Sequence, residues 1–365
     1  MALRCGIVGL PNVGKSTLFN ALTQAGAVAA NFPFCTIEPN QGIVAVPDQR
    51  LDELCRLVKP RQHTPATLEV VDIAGLVKGA SKGEGLGNQF LDHIRNVQAI
   101  IHVLRCFDHE QVVHVDGRVD PVRDKEVVDL ELMLRDLEIV NRRLELLERA
   151  VRLGKKELKQ QHELLCACAQ HLQSGQPVRT LNREPASRRY LSELNLLTDK
   201  PVLYVCNVAE NDACAGNAHV ERVRPLIEAE QAEMLILSAA LEAEIVRLEE
   251  ERDRYEFLQG AGLSEPALPR LIRAAYRLLK YQTFFTIGPK EVRAWTVTEG
   301  TTAPEAAGII HSDFERGFIR AEVIAYDDFI ALGSEAACRQ SGKLRIEGKD
   351  YVVQDGDIIH FLFHV

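Results

Sequence analysis

Gly9-Leu10-Pro11-Asn12-Val13-Gly14-Lys15-Ser16 matches G-x-x-x-x-G-K-S/T in full, follows the strand-like run Leu3–Val8 and opens a helical segment. A strand, a glycine-rich turn and a helix in this order form the phosphate loop of an α/β nucleotide-binding fold. The glycines let backbone N–H groups curl around phosphate oxygens, and the helix N-terminus adds its positive end. In such a loop Lys15 reaches the β- and γ-phosphates and the Ser16 hydroxyl ligates magnesium. Asn12, Val13, Gly14 and Thr17 complete the expected phosphate cradle, which runs from Gly9 to Thr17.

Outward from the loop, Leu3–Val8, Leu68–Asp72 and Ala99–Cys106 read as buried strands of a mostly parallel sheet. Pro201–Cys206 and Met234–Ser238 resume that sheet after a long interruption. Within it Leu130, Leu134, Leu137, Val140, Leu144, Leu147 and Val151 recur at steps of three and four, a helical seam. Gly154 and a second helical stretch, Lys155–Gln173, make this an inserted antiparallel helical hairpin. Its tip carries Arg149, Arg152, Lys155, Lys156 and Lys159, either a solvated face or a contact for a partner or RNA. A charged segment, Glu242–Glu256, precedes a helix over Ala267–Leu279.

The texture then changes. Phe284–Ile287, Val292–Val297, Ile319–Ala325, Asp350–Val353 and Asp357–Phe363 read as strands, with helices near Ala303–Ile310 and Asp327–Ala336. This order predicts a small α+β domain. The expected organisation is a P-loop G domain over 1–129 and 200–280, a helical insertion over 130–199 and a C-terminal domain over 281–365.

Composition narrows the class. Apolar residues make up 46% of 365, ample for a core, and the net charge of −9 argues against wholesale attraction to nucleic acid, leaving local patches. There is no apolar run near 18 residues and no secretory signal pattern, so a cytoplasmic, non-membrane protein is expected. Nine cysteines without a C-x-x-C pair exclude a zinc or disulfide framework and fit a reducing compartment.

Further chemistry lies at the strand ends. Asp72-Ile73-Ala74-Gly75 closes the run Leu68–Val71; Asp72 is placed to hold magnesium through water, and Gly75 to donate its N–H to the γ-phosphate. Thr36, in the loop Asn31–Asn40, is placed to complete the magnesium sphere when triphosphate is bound. After the run Pro201–Cys206, GTPases carry N-K-x-D, whose Asp accepts two hydrogens from guanine. Here the stretch is Asn207-Val208-Ala209-Glu210. Val208 has no lysine stem to cover the base, and Glu210 is one methylene too long for the same geometry, so guanine loses its matched partner. Ser238-Ala239-Ala240 supplies backbone contacts to the base. His102, inside a buried strand pattern, reads as a core histidine.

At these positions the chain resembles the Obg-like ATPases, the YchF group, nearly end to end. The resemblance rests on GLPNVGKST at Gly9–Thr17, NFPFCTIEPN at Asn31–Asn40, DIAGLVKGAS at Asp72–Ser81 and NVAE at Asn207–Glu210. It continues through TFFTIGPKEVRAW at Thr283–Trp295 and GDIIHF at Gly356–Phe361. It implies a translation-factor-class P-loop ATPase with an inserted hairpin, a C-terminal TGS domain of ubiquitin-like β-grasp fold and ribosome association. Leu76 stands where many GTPases place a water-orienting glutamine, as in the hydrophobic-substituted GTPases, and the resemblance gives that task to His114. It also raises redox regulation at Cys35, for which the sequence shows no lowered pKa or exposure. The resulting expectation is a monomeric, magnesium-dependent ATPase with residual GTP activity that acts as a nucleotide-gated switch at the ribosome. RNA contacts would come from the hairpin and from the basic residues around Lys343–Lys349. Two alternatives stay open: a GTPase of the same architecture, and a nucleotide-gated binding module with negligible hydrolysis.

Overall fold

The computed structural model describes residues 4–29, 40–73, 86–109, 112, 117–152 and 158–364. Its strands are β1 (Arg4–Val8), β2 (Gln41–Ala45), β3 (Gln62–Thr64), β4 (Thr67–Asp72), β5 (Ala99–Cys106), β6 (Val202–Val208), β7 (Glu233–Leu237), β8 (Tyr281–Thr286), β9 (Glu291–Thr298), β10 (Phe318–Ala325), β11 (Arg345–Glu347) and β12 (Asp357–Phe363). The chain groups into two compact units, one of residues 1–24, 36–42 and 69–268, the other of 25–35, 43–68 and 269–365.

The first sheet runs β2-β4-β1-β5-β6-β7. The pairs β1–β4, β1–β5, β5–β6 and β6–β7 are all parallel. Every residue of β5 and of β6 is buried, as a sheet covered on both faces requires, so these strands read as unbroken apolar runs. His102 is 2% exposed in β5 against the Tyr204 ring, and burial pushes its imidazole down to about 3, so it is a neutral core residue.

The hairpin's long arm is Pro121–Arg152 and its short arm Lys159–Gln173. Met133, Val140 and Leu147 meet Leu165, Cys168 and Leu172, with Leu191 from the helix Pro185–Leu194. Two expected seam residues fall outside this core: Leu130 and Leu134 are 52% and 40% exposed. The short arm has 15 residues against 32, so most of the first half of the long arm, Met133 aside, packs elsewhere. There Asp136, fully enclosed, accepts from the N–H groups of Leu197 and Thr198 at 2.8 and 2.7 Å and from the Thr198 hydroxyl at 2.6 Å.

The root of the hairpin is tied down by charge. Lys125 Nζ donates to Asp129 Oδ2 at 2.7 Å and also to Glu230. Arg179 Nη2 donates to Glu230 at 2.8 Å, to Asp129 at 3.2 Å and to the Tyr204 hydroxyl at 3.1 Å. These groups are about one-tenth exposed or less, so the cluster acts in a low-dielectric setting.

The charged segment Glu242–Glu256 forms the helices Ala239–Arg247 and Glu251–Gly260. Glu242 is buried there because its carboxylate caps the next helix, accepting from Ala267 N at 2.7 Å and Leu268 N at 3.1 Å. Glu242→Ala leaves both buried donors without that acceptor, at about 1–3 kcal/mol each. A lowered thermal midpoint is expected, with Glu242→Gln retaining part of the loss; an unchanged midpoint for Glu242→Ala rules the cap out.

The second sheet runs β11-β10-β12-β8-β9-β3. β8–β9, β10–β12 and β10–β11 are antiparallel, while β12–β8 is parallel, the order of a β-grasp. The helix Ala303–Ile310 is started by a Thr302–Glu305 capping box and buries Ala303, Ala306 and Ala307 against Phe284, Phe318 and Phe361. Asp350–Val353 is not a strand. Its backbone serves that helix's start: Val353 N donates to Thr301 O and Tyr351 O accepts from Ala303 N, leaving one bridge, Thr302 to Val352. Residues between Gln41 and Thr64 carry elements that sequence reading did not assign. The helix Gln49–Val58, capped by Asp48, and β3, parallel to β9, belong to this unit. Arg50 fixes the helix there by pairing with Asp355 at 2.8 Å, and the Tyr326 hydroxyl donates to Glu53 at 2.6 Å.

Candidate nucleotide-binding site

β1 ends at Val8, the turn occupies 9–14, and the helix Lys15–Ala29 begins at the signature lysine with no acidic residue in its first turn. Its positive end therefore meets no acidic side chain from its own first turn, which suits it to an anion. Two glycines are sterically required. A Cβ on Gly9 would lie 2.5 Å from the Val103 carbonyl oxygen of β5. Gly14 has φ +96°, and a Cβ there would lie 2.2 Å from Asn207 Nδ2. Asn12 takes the left-handed conformation at φ 61°, as an asparagine tolerates.

Lys15 is 8% exposed and folds back over the loop, its Nζ donating to Leu10 O at 2.9 Å. Burial lowers its pKa, and the Asp72 charge opposes the shift. Ser16 Oγ donates to Asp72 Oδ2 at 3.1 Å. Asp72 is pushed up by burial, against the Ser16 hydrogen bond and the Lys15 charge, and its second oxygen, Oδ1, is buried without a hydrogen-bond partner among the described residues. A hydroxyl and a carboxylate with an uncommitted oxygen are hard donors of the kind magnesium takes. No group of three His, Cys, Asp or Glu side chains that could hold a metal occurs among the described residues. The donor set thus fits an ion held by few protein oxygens, directly or through water, and by phosphate, and not an all-protein cage.

Asn207, at the end of β6, bolts two loops together. Its Nδ2 donates to Val13 O at 2.8 Å, and its Oδ1 accepts from Ala239 N at 2.9 Å. Ser238 caps the helix Ala239–Arg247 and is buried. Val208 is 2% exposed within β6, while Glu210 is exposed at the start of a short 3₁₀ turn. A cavity of about 710 Å³ opens beside this loop, lined by Glu210, Asn211, Leu241 and Phe257 among others.

The structure thus brings together Asn12, Val13, Gly14, Lys15, Ser16, Asp72, Asn207 and Ser238, with Thr17 the third residue of the helix. Thr36, Gly75, Leu76 and His114 lie outside the described residues, as do Cys35 and the hairpin-tip residues Lys155 and Lys156. The described cysteines are all free. Motif reading passes over Arg105, a guanidinium enclosed at the end of β5; a lone arginine inside the apolar run Ala99–Cys106 is the signal that marks it.

A protein from Haemophilus ducreyi named ribosome-binding ATPase YchF is 53% identical to this chain, over 100% of both. The chain belongs to the YchF family. The Bacillus subtilis protein of the same name is 51% identical, again over 100% of both chains. The solved structure of the Schizosaccharomyces pombe YchF GTPase matches with a TM-score of 0.89 at 40% identity, covering 99% of this chain and 97% of that one. A family model described as 50S ribosome-binding GTPase matches residues 4–140, and the model for the YchF GTPase C-terminal region, described as a protein of unknown function, matches 281–364. The YchF resemblance read from the motifs therefore holds along the whole chain, and the α/β P-loop fold with a C-terminal α+β domain is the family's. No helix among the described residues is long and apolar enough to cross a membrane.

Proposed function

We propose that this YchF-family chain is a cytoplasmic, magnesium-dependent ATPase, with weaker GTP activity, that switches between states on the ribosome. The observation that carries the ATPase part is the joining of Lys15, Ser16 and Asp72 at a helix N-terminus whose first turn holds no acidic residue. Hydrolysis is in-line attack of water on the γ-phosphate, a reaction that needs positioning and charge stabilisation more than covalent help. Lys15 leaves Leu10 O for the β- and γ-oxygens, where its burial makes the ammonium count for more than it would in water. Ser16, Thr36 and, through water, Asp72 would hold magnesium, which would supply charge neutralisation to the phosphates when bound. Gly75 donates to the γ-phosphate. His114 orients the attacking water, since Leu76 can neither donate nor accept.

For the base, Val208 is buried and Glu210 stands exposed where a guanine-reading pocket needs an aspartate, which favours adenine. The relatives' name supports both ATP and the ribosome as partners. The C-terminal domain, 281–365, and the hairpin, 130–199, are the surfaces assigned to ribosome or RNA contact.

Competition binding of ATP and GTP tests the base assignment: ATP is expected to win, and a guanine preference above about tenfold overturns it. Phosphate release tests the chemistry, with Lys15→Ala expected to fall about a hundredfold or more. A wild type no faster than Lys15→Ala leaves only a nucleotide-gated binding module. Co-sedimentation with ribosomes that is identical in ADP and in a non-hydrolysable ATP analogue sinks the switch.

A further inference from the structure

The ladder between β5 and β6 closes with Cys106 opposite Val208, where both strands end or turn away. Asn207 lies inside that ladder, opposite Arg105, so the sheet itself holds the side chain that grips the phosphate loop. Glu210 lies beyond the last strand pair, in the short turn Glu210–Asp212. The sheet does not hold this turn.

A side chain from further along does. Asn217 Nδ2 donates to Asp212 Oδ2 at 2.8 Å and to Cys106 O, at the end of β5, at 2.7 Å. Its Oδ1 accepts from His219 N and Val220 N at 3.1 and 3.3 Å, capping the helix Ala218–Ala229. The carboxamide thus spends both its donors and both its lone pairs inside the protein. Gly216 N donates to Asp212 O at 2.8 Å, so Asp212 is gripped through backbone and side chain alike. Asp212 N donates to Ala209 O at 3.0 Å, which carries the constraint back to the residue before Glu210. A further tie, His219 Nε2 to Asp108 Oδ2 at 3.1 Å, joins the same helix start to the chain leaving β5.

We propose that Asn217 is a positioning residue for base recognition, fixing the turn that carries Glu210 through its bond to Asp212. The proposal rests on the reading of Asn207–Glu210 as the base loop. Asn217 touches no nucleotide in this scheme. It governs affinity and the choice between adenine and guanine, because a polar site discriminates only while its groups are held in place. The phosphates stay with Lys15, Ser16 and Asp72, whose own contacts do not pass through this turn.

The test uses the full chain as wild type, Asn217→Asp, Asn217→Ser, Asp212→Asn/Asn217→Asp and Glu210→Ala. Aspartate and serine cap helices about as well as asparagine, so both single changes keep the helix start while removing the amide donors. The double variant swaps donor and acceptor across the same gap. Kd values for ATP, GTP and inorganic tripolyphosphate, each with magnesium, come from displacement of a fluorescent ATP analogue. They are read beside kcat and KM for ATP and the thermal unfolding curve. Asn217→Asp is expected to raise Kd and KM for ATP about tenfold and to narrow the ATP-over-GTP preference about threefold or more. Its kcat and its tripolyphosphate Kd should stay within about twofold of wild type. The swap should return the ATP Kd to within about threefold of wild type. If Asn217→Asp fails to unfold cooperatively, Asn217→Ser carries the test with the same expectations. Wild-type ATP affinity in Asn217→Asp, beside a Glu210→Ala that has lost affinity or preference, overturns this proposal alone. So does a swap that binds ATP no better than Asn217→Asp, or a tripolyphosphate Kd raised as much as that of ATP. A Glu210→Ala with wild-type affinity and preference overturns the base-loop reading instead, and with it the route by which Asn217 acts.

Discussion

Gly14→Ala is expected to lose about a hundredfold or more in ATP affinity while the chain stays folded. The added methyl would sit 2.2 Å from Asn207 Nδ2, and at φ +96° an L side chain is strained wherever its neighbours stand. That strain alone is worth about 1–3 kcal/mol. The clash cannot be relieved by swinging Asn207 aside, because both ends of its carboxamide are committed, to Val13 O and to Ala239 N. Moving it releases the phosphate loop and the base loop together. Loss of about 2.7 kcal/mol corresponds to the hundredfold expected. Apart from Asn207, the buried residues of β5 and β6 are not among the atoms the methyl strikes, so the unfolding midpoint should drop by only a few degrees. Titration with a fluorescent ATP analogue decides the matter. Affinity within about threefold of wild type would mean that Asn207 tilts freely and does not join the two loops.

What made the phosphate loop legible is that its chemistry is local: eight consecutive residues carry the glycines, the lysine and the hydroxyl. Asp72 followed because it ends an apolar run, and the hairpin because Leu137, Val140, Leu144 and Leu147 keep a helical period in both sequence and packing. β3 was not legible. It is three residues, Gln62–Thr64, two of them exposed, and its partner Glu291–Arg293 lies more than 200 residues away. No periodicity in the strand itself encodes that pairing. The charges that root the hairpin are hidden for a related reason. Lys125 and Asp129 look like an ordinary surface pair four residues apart, and only the approach of Arg179 and Glu230 from distant segments makes the cluster an interior one. The same distance hides Glu242, whose helix cap is 25 residues on, within a stretch that reads as solvated charge.

Arg179→Met is expected to cost about 3–5 kcal/mol of folding stability, the loss typical of a buried charge deprived of its partner. Arg179 and Lys125 face two carboxylates, Asp129 and Glu230, and the count balances. Removing the guanidinium leaves two buried carboxylates to one ammonium and takes from Tyr204 one of its hydrogen bonds. The charge balance supplies its own control. Arg179→Met/Glu230→Met leaves Lys125 and Asp129 as a matched pair, so the double variant should regain most of the loss, whereas additive losses would mean that packing and not charge is what Arg179 provides. The pH dependence has a definite sign. Burial pushes the Asp129 carboxyl up, but Arg179 and Lys125 more than offset this and hold it below the usual carboxylate range. Its contribution in the wild type is therefore present above the unfolded carboxylate pKa and lost as pH falls through the lower folded value. Arg179→Met removes the larger of the two cationic influences on Asp129, so the gap between wild type and variant should narrow as the medium is acidified from neutrality. Urea unfolding at pH 7.5 and through the carboxylate range, about pH 5 to 3, measures both effects. A loss below about 1 kcal/mol at pH 7.5 would place the cluster among surface ion pairs in energetic terms. The hairpin would then be held by packing and by the Asp136 contacts to Leu197 and Thr198, and the charged root would play no part in fixing β6, the strand that carries Asn207.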